Sequence, residues 1–334
     1  MHLRLFLPVV LASTLFAQTT KPAPPDGGDF SNAKTPPVKV PSGVILVKGA
    51  WSSASDKTTP IPEGGSMNGN IYSNDYFGIR YQLPAGWTQR YEGPPPSDSG
   101  RYVLAQIRPV DRKGPVRGTI LVTAQDQFFS PLPIADAQQN MTYVTDHLQA
   151  DYRLDRPLSQ ATIAGHSFGF FSYWSPSALL HWYVVSTEIR CHTIEFVLSS
   201  QDTKLLDNLL QGLGGMTLPS EAGLGAGKGG GDVPVCIRGF AHGENLLEHV
   251  SPIFSEPKFN PVPVRIIIDK KGRVKHIHFL SAFPDQTKAI TDALAQWRFK
   301  PYIHDGHLVE VETGVMFGRS PRPPGSQQPT DSVE

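Results

Sequence analysis

Apolar and polar positions alternate along Phe77-Gly78-Ile79-Arg80-Tyr81-Gln82-Leu83, and Pro84-Ala85-Gly86-Trp87 ends the run, so the period of two predicts a strand. Tyr102 to Ile107 and Thr119 to Thr123 read as further strands. Ile134, Ala137, Met141, Val144 and Leu148 then recur at three- and four-residue spacings, which puts them on one face of a helix. Aromatic and β-branched residues return in Phe168 to Trp174, Leu179 to Ile189 and His192 to Leu198 as three more strands. A helix follows, carrying Leu205, Leu206, Leu209, Leu210 and Leu213 and stopped by Gly214-Gly215. Runs of adjacent strands with helices set between them predict an α+β layer on an antiparallel sheet over residues 70–218.

A second pattern begins near Val233. Val264, Ile266 and Ile268 alternate along a strand, Asp269-Lys270-Lys271-Gly272 supplies a turn, and Val274 to Leu280 returns as the other arm of a hairpin. Asp285 is the expected cap of a helix lined by Ala289, Ile290, Ala293, Leu294 and Trp297, which Pro301 closes. Val309, Val311, Thr313, Val315 and Phe317 then alternate with Glu310, Glu312, Gly314 and Met316 as a single final strand with one apolar face. The predicted fold class is therefore α+β in two domains, at 70–218 and 233–318.

Composition sets the boundaries of these units. Residues 18–69 are dominated by proline, glycine, serine and threonine and are expected to be disordered, as is the tail 319–334. Glycine-rich residues 219–232 read as a flexible linker. The start, Met1-His2-Leu3-Arg4 followed by an apolar run to Phe16, reads as a secretory signal peptide over 1–17, so export to the periplasm or cell envelope is expected. Lysine plus arginine number 30 and aspartate plus glutamate 30, which leaves no net field to attract nucleic acid. Cys191 and Cys236 are the two cysteines. Their spacing does not decide between separately buried thiols, the expected state, and a bridge tying the two domains.

Four patterns raise the question of chemistry. Gly165-His166-Ser167-Phe168-Gly169 fits the turn that carries the nucleophile of α/β-hydrolases. Such a serine needs a helix after it, whereas Phe170-Phe171-Ser172-Tyr173-Trp174 reads as a strand. Ser167 is thus expected in a hairpin whose turn uses Gly165, with serine hydrolysis, assisted by Glu188 and His192, as the disfavoured alternative. His276 and His278 share one strand face at a spacing that can bind zinc, but no third ligand is fixed, and an exposed polar face is expected. Gly225-Ala226-Gly227-Lys228 lacks the ending of a phosphate loop and is read as linker. Arg265, Lys270, Lys271, Arg273 and Lys275 read as a solvated face, since lysine plus arginine count 10 and aspartate plus glutamate 9 across Val233 to Gly318. No catalytic residue, metal ligand or small-molecule cofactor is expected.

The order hairpin, helix, Trp297-Arg298-Phe299-Lys300-Pro301, short loop with Gly306 and final strand resembles the C-terminal domain of the TonB energy transducers. The likeness covers about a quarter of the chain. It implies a small sheet with a helix on one face that binds a segment of an outer-membrane protein by adding a strand, in connection with transmembrane transport. The edge so implied is Val309, Glu310, Val311, Glu312, Thr313, Gly314 and Val315, and the same edge offers a route to a homodimer. Proline at Val311 or Thr313 is expected to abolish such binding. The preceding domain is similar to the exported PsbP-like group, through Tyr76-Phe77-Gly78-Ile79-Arg80-Tyr81 with Pro84-Ala85-Gly86-Trp87 and through the late strand pair leading to a leucine-rich helix. Together these resemblances imply an exported, non-enzymatic binding protein, with a purely structural envelope protein as the alternative.

Overall fold

The computed structural model describes residues 60–89, 99–111, 113–114, 116–130, 136–219, 234–254 and 260–318. The signal segment, the glycine-rich linker except Pro219 and the C-terminal tail lie outside them. So does most of the lead segment, but its end is ordered: Gly65–Asn68 forms β1, paired with β2 (Ile71–Asn74), which pairs in turn with β3 (Ile79–Gln82). The polar composition of 60–69 concealed this strand, which gains its hydrogen bonds from β2 rather than from burial of its own side chains.

Seven strands follow: β4 (Trp87–Gln89), β5 (Arg101–Pro109), β6 (Thr119–Asp126), β7 (Arg153–Ile163), β8 (His166–Ser175), β9 (Leu180–Ile189) and β10 (His192–Ser200). They form one antiparallel sheet in the order β4-β5-β6-β10-β9-β8-β7. Helix α1 (Ala137–Asp146) enters between β6 and β7, and α2 (Thr203–Gly212) follows β10. Asp136 and Asp202 cap them, Asp136 accepting the backbone N–H of Gln139 and Asp202 those of Lys204 and Leu205. Period-two alternation on β10 sends Ile194, Phe196 and Leu198 into the large core with Tyr72, Ile79 and Tyr81 of the small sheet and Leu206, Leu209 and Leu213 of the α2 region. On the opposite face, Met141 of α1 packs on Phe171 and Val184. The architecture is α+β and rich in sheet, as the pattern of periods implied.

The hairpins explain several turn residues. Ile163 pairs with His166 across Ala164-Gly165, and Ile189 pairs with His192 across Arg190-Cys191. Both central residues of each turn have positive φ, the geometry that matches strand twist in a two-residue hairpin. Arg190 and Cys191 adopt it without glycine, at φ 52° and 51°, a conformation that persists only where surrounding contacts hold it.

Beyond the linker come β11 (Val235–Cys236), β12 (Leu246–Glu248), β13 (Val262–Ile268), β14 (Val274–Phe279), α3 (Pro284–Leu294), β15 (Arg298–Phe299), β16 (Tyr302–His304), β17 (His307–Val309) and β18 (Val311–Phe317). The main sheet here is β11-β18-β13-β14. Its Val264, Ile266, Ile277, Phe279, Val311 and Val315 form a second core with Ile290, Leu294 and Trp297 of the α3 region. Asp285 lies inside the first turn of α3 rather than capping it: Phe283 is the N-cap residue, and its N–H donates to the Gln286 side chain. Pro284 explains the displacement, because its ring favours the first helical position. The expected single final strand is two, since His307–Val309 folds back on β16 across Asp305-Gly306 before β18 begins.

Candidate functional site

Every residue of β13 is buried, so both faces of this second sheet are covered. One face holds the aliphatic core; the other carries Arg265, Ile267, His276, His278, Glu312 and Gly314, set side by side by the register Arg265↔His278, Arg265↔Gly314 and Ile267↔Glu312. That polar face packs against residues of the first module. Arg265 Nη1 donates to Asp126 at 2.6 Å and its Nε to Glu312 at 3.1 Å. Glu312 also accepts from Arg190 Nη2 at 2.6 Å and from the Tyr76 hydroxyl at 2.6 Å. Arg190 lies over the Tyr76 ring at 3.8 Å, and Arg265 over Phe128 at 4.3 Å. Gly314 is required beneath Phe128, since a Cβ there would come within 2.7 Å of that side chain.

Two guanidinium groups and two carboxylates thus share one dry seam, with Arg265 only 2 % exposed. Burial alone would raise the Glu312 pKa, but Arg190 and Arg265 outweigh it and hold this carboxyl well below the usual carboxylate range. At Asp126 burial wins, and the carboxyl stays raised although Arg265 pulls it down. His192 is held neutral, its pKa lowered well below the ordinary value by burial and then by Arg265. Its Nδ1 meets the Arg190 carbonyl at 2.8 Å, so the protonated nitrogen is assigned there, and its 3.5 Å approach to Asp126 is no ion pair. The seam is also tied covalently, because Cys191 and Cys236 form a disulfide with a Cα separation of 6.1 Å. The thiols expected to be separate are bridged: the Arg190-Cys191 turn brings one sulfur to β11, a proximity that spacing could not reveal.

The edge inferred for partner binding is not open along its length. β18 lies between β13 and β11, and the N–H groups of Val235 and Ile237 donate to the carbonyls of Glu310 and Glu312 at 2.8 and 3.0 Å. Val311, Glu312 and Thr313 are buried, while Val309 and Glu310 are half-buried and Glu310 pairs with Lys275. Since the carbonyls of 310 and 312 face β11, the backbone of Val311 and Thr313 faces β13. Proline at those two positions would break the sheet itself rather than test the edge.

The remaining candidates separate cleanly. Ser167 sits on β8, where its hydroxyl donates to Gln160 at 3.0 Å, on the sheet face that carries α1. His192 is buried on the opposite face, so Ser167, Glu188 and His192 are not brought together as a triad. Gly169 keeps its place in the motif for packing, since a Cβ there would strike the Met141 sulfur. His276 and His278, expected on an exposed face, are both buried, and His278 Nε2 lies 2.8 Å from Glu63 of the lead segment. Arg265 is likewise corrected from a solvated face to the centre of the seam.

No family model matches the chain, the TonB C-terminal domain included, and no curated protein matches it. Among solved structures it is similar to the solution structure of cyanobacterial PsbP (CyanoP) from Synechocystis sp. PCC 6803. The identity is 14% and the TM-score 0.29, over 51% of this chain and 93% of that one. A likeness of that degree assigns no function.

Sequence reasoning missed the seam for one reason. An alternating strand shows which positions differ in polarity, and solvent is the default occupant of the polar side. The available signal was Arg265 itself: a long cation flanked by Val264 and Ile266-Ile267-Ile268 sits where a water-facing strand would carry several polar residues.

Proposed function

We propose that this is an exported, non-catalytic binding protein of the cell envelope whose second module carries a strand-acceptor edge occupied by its own chain. The observation behind this reading is the pairing of Val235–Cys236 with β18, where Val235 and Ile237 donate to Glu310 and Glu312 as an added guest strand would. The resemblance to TonB C-terminal domains supplies the guest, an extended segment of an envelope protein. No helix among the described residues is long and apolar enough to cross a membrane.

In this reading β11 and its disulfide keep the edge closed until β11 departs. The competing reading is structural: β11 never leaves, and the protein serves as a rigid spacer. A fluorescent extended peptide copying residues 234–238, with serine for cysteine, separates the two by anisotropy. The bridged protein should not bind it. The Val235→Pro/Cys236→Ser variant, which loses one donor and the bridge, should bind it saturably. A folded variant that does not bind leaves the structural reading standing.

A further inference from the structure

The apolar part of the sheet face beneath α1 centres on Met141, Phe171 and Val184, with Val144, Leu158, Tyr173 and Val197 packed around them. One row away, the register Gln160↔Gly169↔Ser186↔Glu195↔Thr123 crosses five strands without one large apolar side chain. Ser167 and Glu188 extend that surface two residues further along their strands on the same face. Between it and the start of α1 lies a cleft of about 240 Å³, lined by Gln138, Gln160, Ser167, Ser186, Thr187 and Glu188 with the first residues of the helix. Ser186 is 1 % exposed and lines this cleft, and its buried hydroxyl has no hydrogen-bond partner. A buried hydroxyl left unmatched is destabilising, so its retention on a cleft floor points to something that completes it.

The lining also selects among ligands. Asp136 and Glu188 at the cleft disfavour an anion. The N-terminal end of α1, where Asp136 caps Gln139 but the first-turn N–H groups point outward, disfavours a cation. Neither an aromatic nor an aliphatic side chain larger than alanine lines the space, so an apolar ligand gains little. Gln160 donates to Gln138, and Ser167 donates to Gln160, which leaves a surface that offers donors and acceptors together. Sugar hydroxyls do both. The volume falls under the ~300 Å³ lower bound of drug-sized sites, which suits a single ring.

We propose that this cleft binds a neutral, hydroxyl-rich small molecule, one ring of a saccharide, with the Ser186 hydroxyl and the Glu188 carboxylate among its hydrogen-bond partners. It gives the Gly165–Gly169 motif a binding role in place of a catalytic one. The test is titration of the full chain with glucose and N-acetylglucosamine, read from the backbone amide NMR signals of Gln138, Gly169 and Thr187. Glucosamine and glucuronate serve as charged controls. Saturable shifts with a neutral sugar, at least tenfold weaker with both charged analogues, are expected. Ser186→Val should weaken binding at least tenfold while leaving the melting temperature unchanged or higher, because it removes an unmatched buried hydroxyl. If that variant does not fold, the exposed Ser167→Ala should weaken binding in its place. No saturable shift with either neutral sugar, a preference for a charged analogue, or undiminished binding by a folded variant would overturn the proposal.

Discussion

His192 shows how one side chain ties pH to stability. Its ring is fully buried, set edge-on to Phe77 and Tyr76, and kept neutral by burial and by the Arg265 charge. In the unfolded chain the same imidazole takes a proton near pH 6.5. A group whose folded pKa is depressed contributes stability above its unfolded value and loses it on acidification. Folding stability should therefore fall as pH drops below about 6.5, by at most about 1.4 kcal/mol per unit for this group. His192→Gln, which keeps a donor for the Arg190 carbonyl and cannot titrate, should flatten that slope between pH 7 and 5. Urea midpoints across that range check it, and an unchanged slope would remove His192 as the cause. The histidine was legible as a strand residue, but its protonation state was not, since Arg265 lies 73 positions away in sequence (265 − 192).

At the scale of elements, the turn Asp269-Lys270-Lys271-Gly272 was readable because its residue types serve turn geometry. What the turn touches was not. The Gly272 carbonyl accepts from the Phe299 N–H at 2.8 Å, and Arg273 bridges to Arg298, so the hairpin tip docks on the strand that carries the Trp297-Arg298-Phe299 motif. Gly272 has φ 75°, and a Cβ would meet the Phe299 carbonyl oxygen at 2.0 Å. Gly272→Ala should accordingly lower unfolding stability by more than the ~1 kcal/mol of an ordinary glycine-to-alanine conflict. Chemical denaturation measures it, and a loss under 0.5 kcal/mol, taken as a rough threshold for a neutral change, would show that the tip yields. β7 was the element the pattern hid. Its residues are mostly exposed, and Pro157 and two irregularities interrupt its pairing to β8, which suits an outer strand that must not recruit another chain.

At the scale of the whole molecule, two cores meet through a seam that is ionic rather than aliphatic. Arg265→Ala would leave Asp126 and Glu312 buried beside a single remaining cation, and breaking such a cluster costs about 3–5 kcal/mol. The expected outcome is a lowered melting temperature, with amide exchange rising first on both sides of the seam, at Asp126 and in β18; a shift under one degree would show the seam to be incidental. The Cys191–Cys236 bridge closes a loop of sequence separation 45 across the same boundary, which in the chain-entropy account contributes about 4 kcal/mol. Hydrophobic period and turn residues determined the helices and most of the longer strands, because those features depend on neighbours in sequence. Which polar faces met water and which met each other was decided only by tertiary structure. Arg265, His278 and Glu312 carry no local mark of their partners Asp126, Glu63 and Arg190. The favourable pairing that offsets their desolvation exists only once the two sheets have closed on one another.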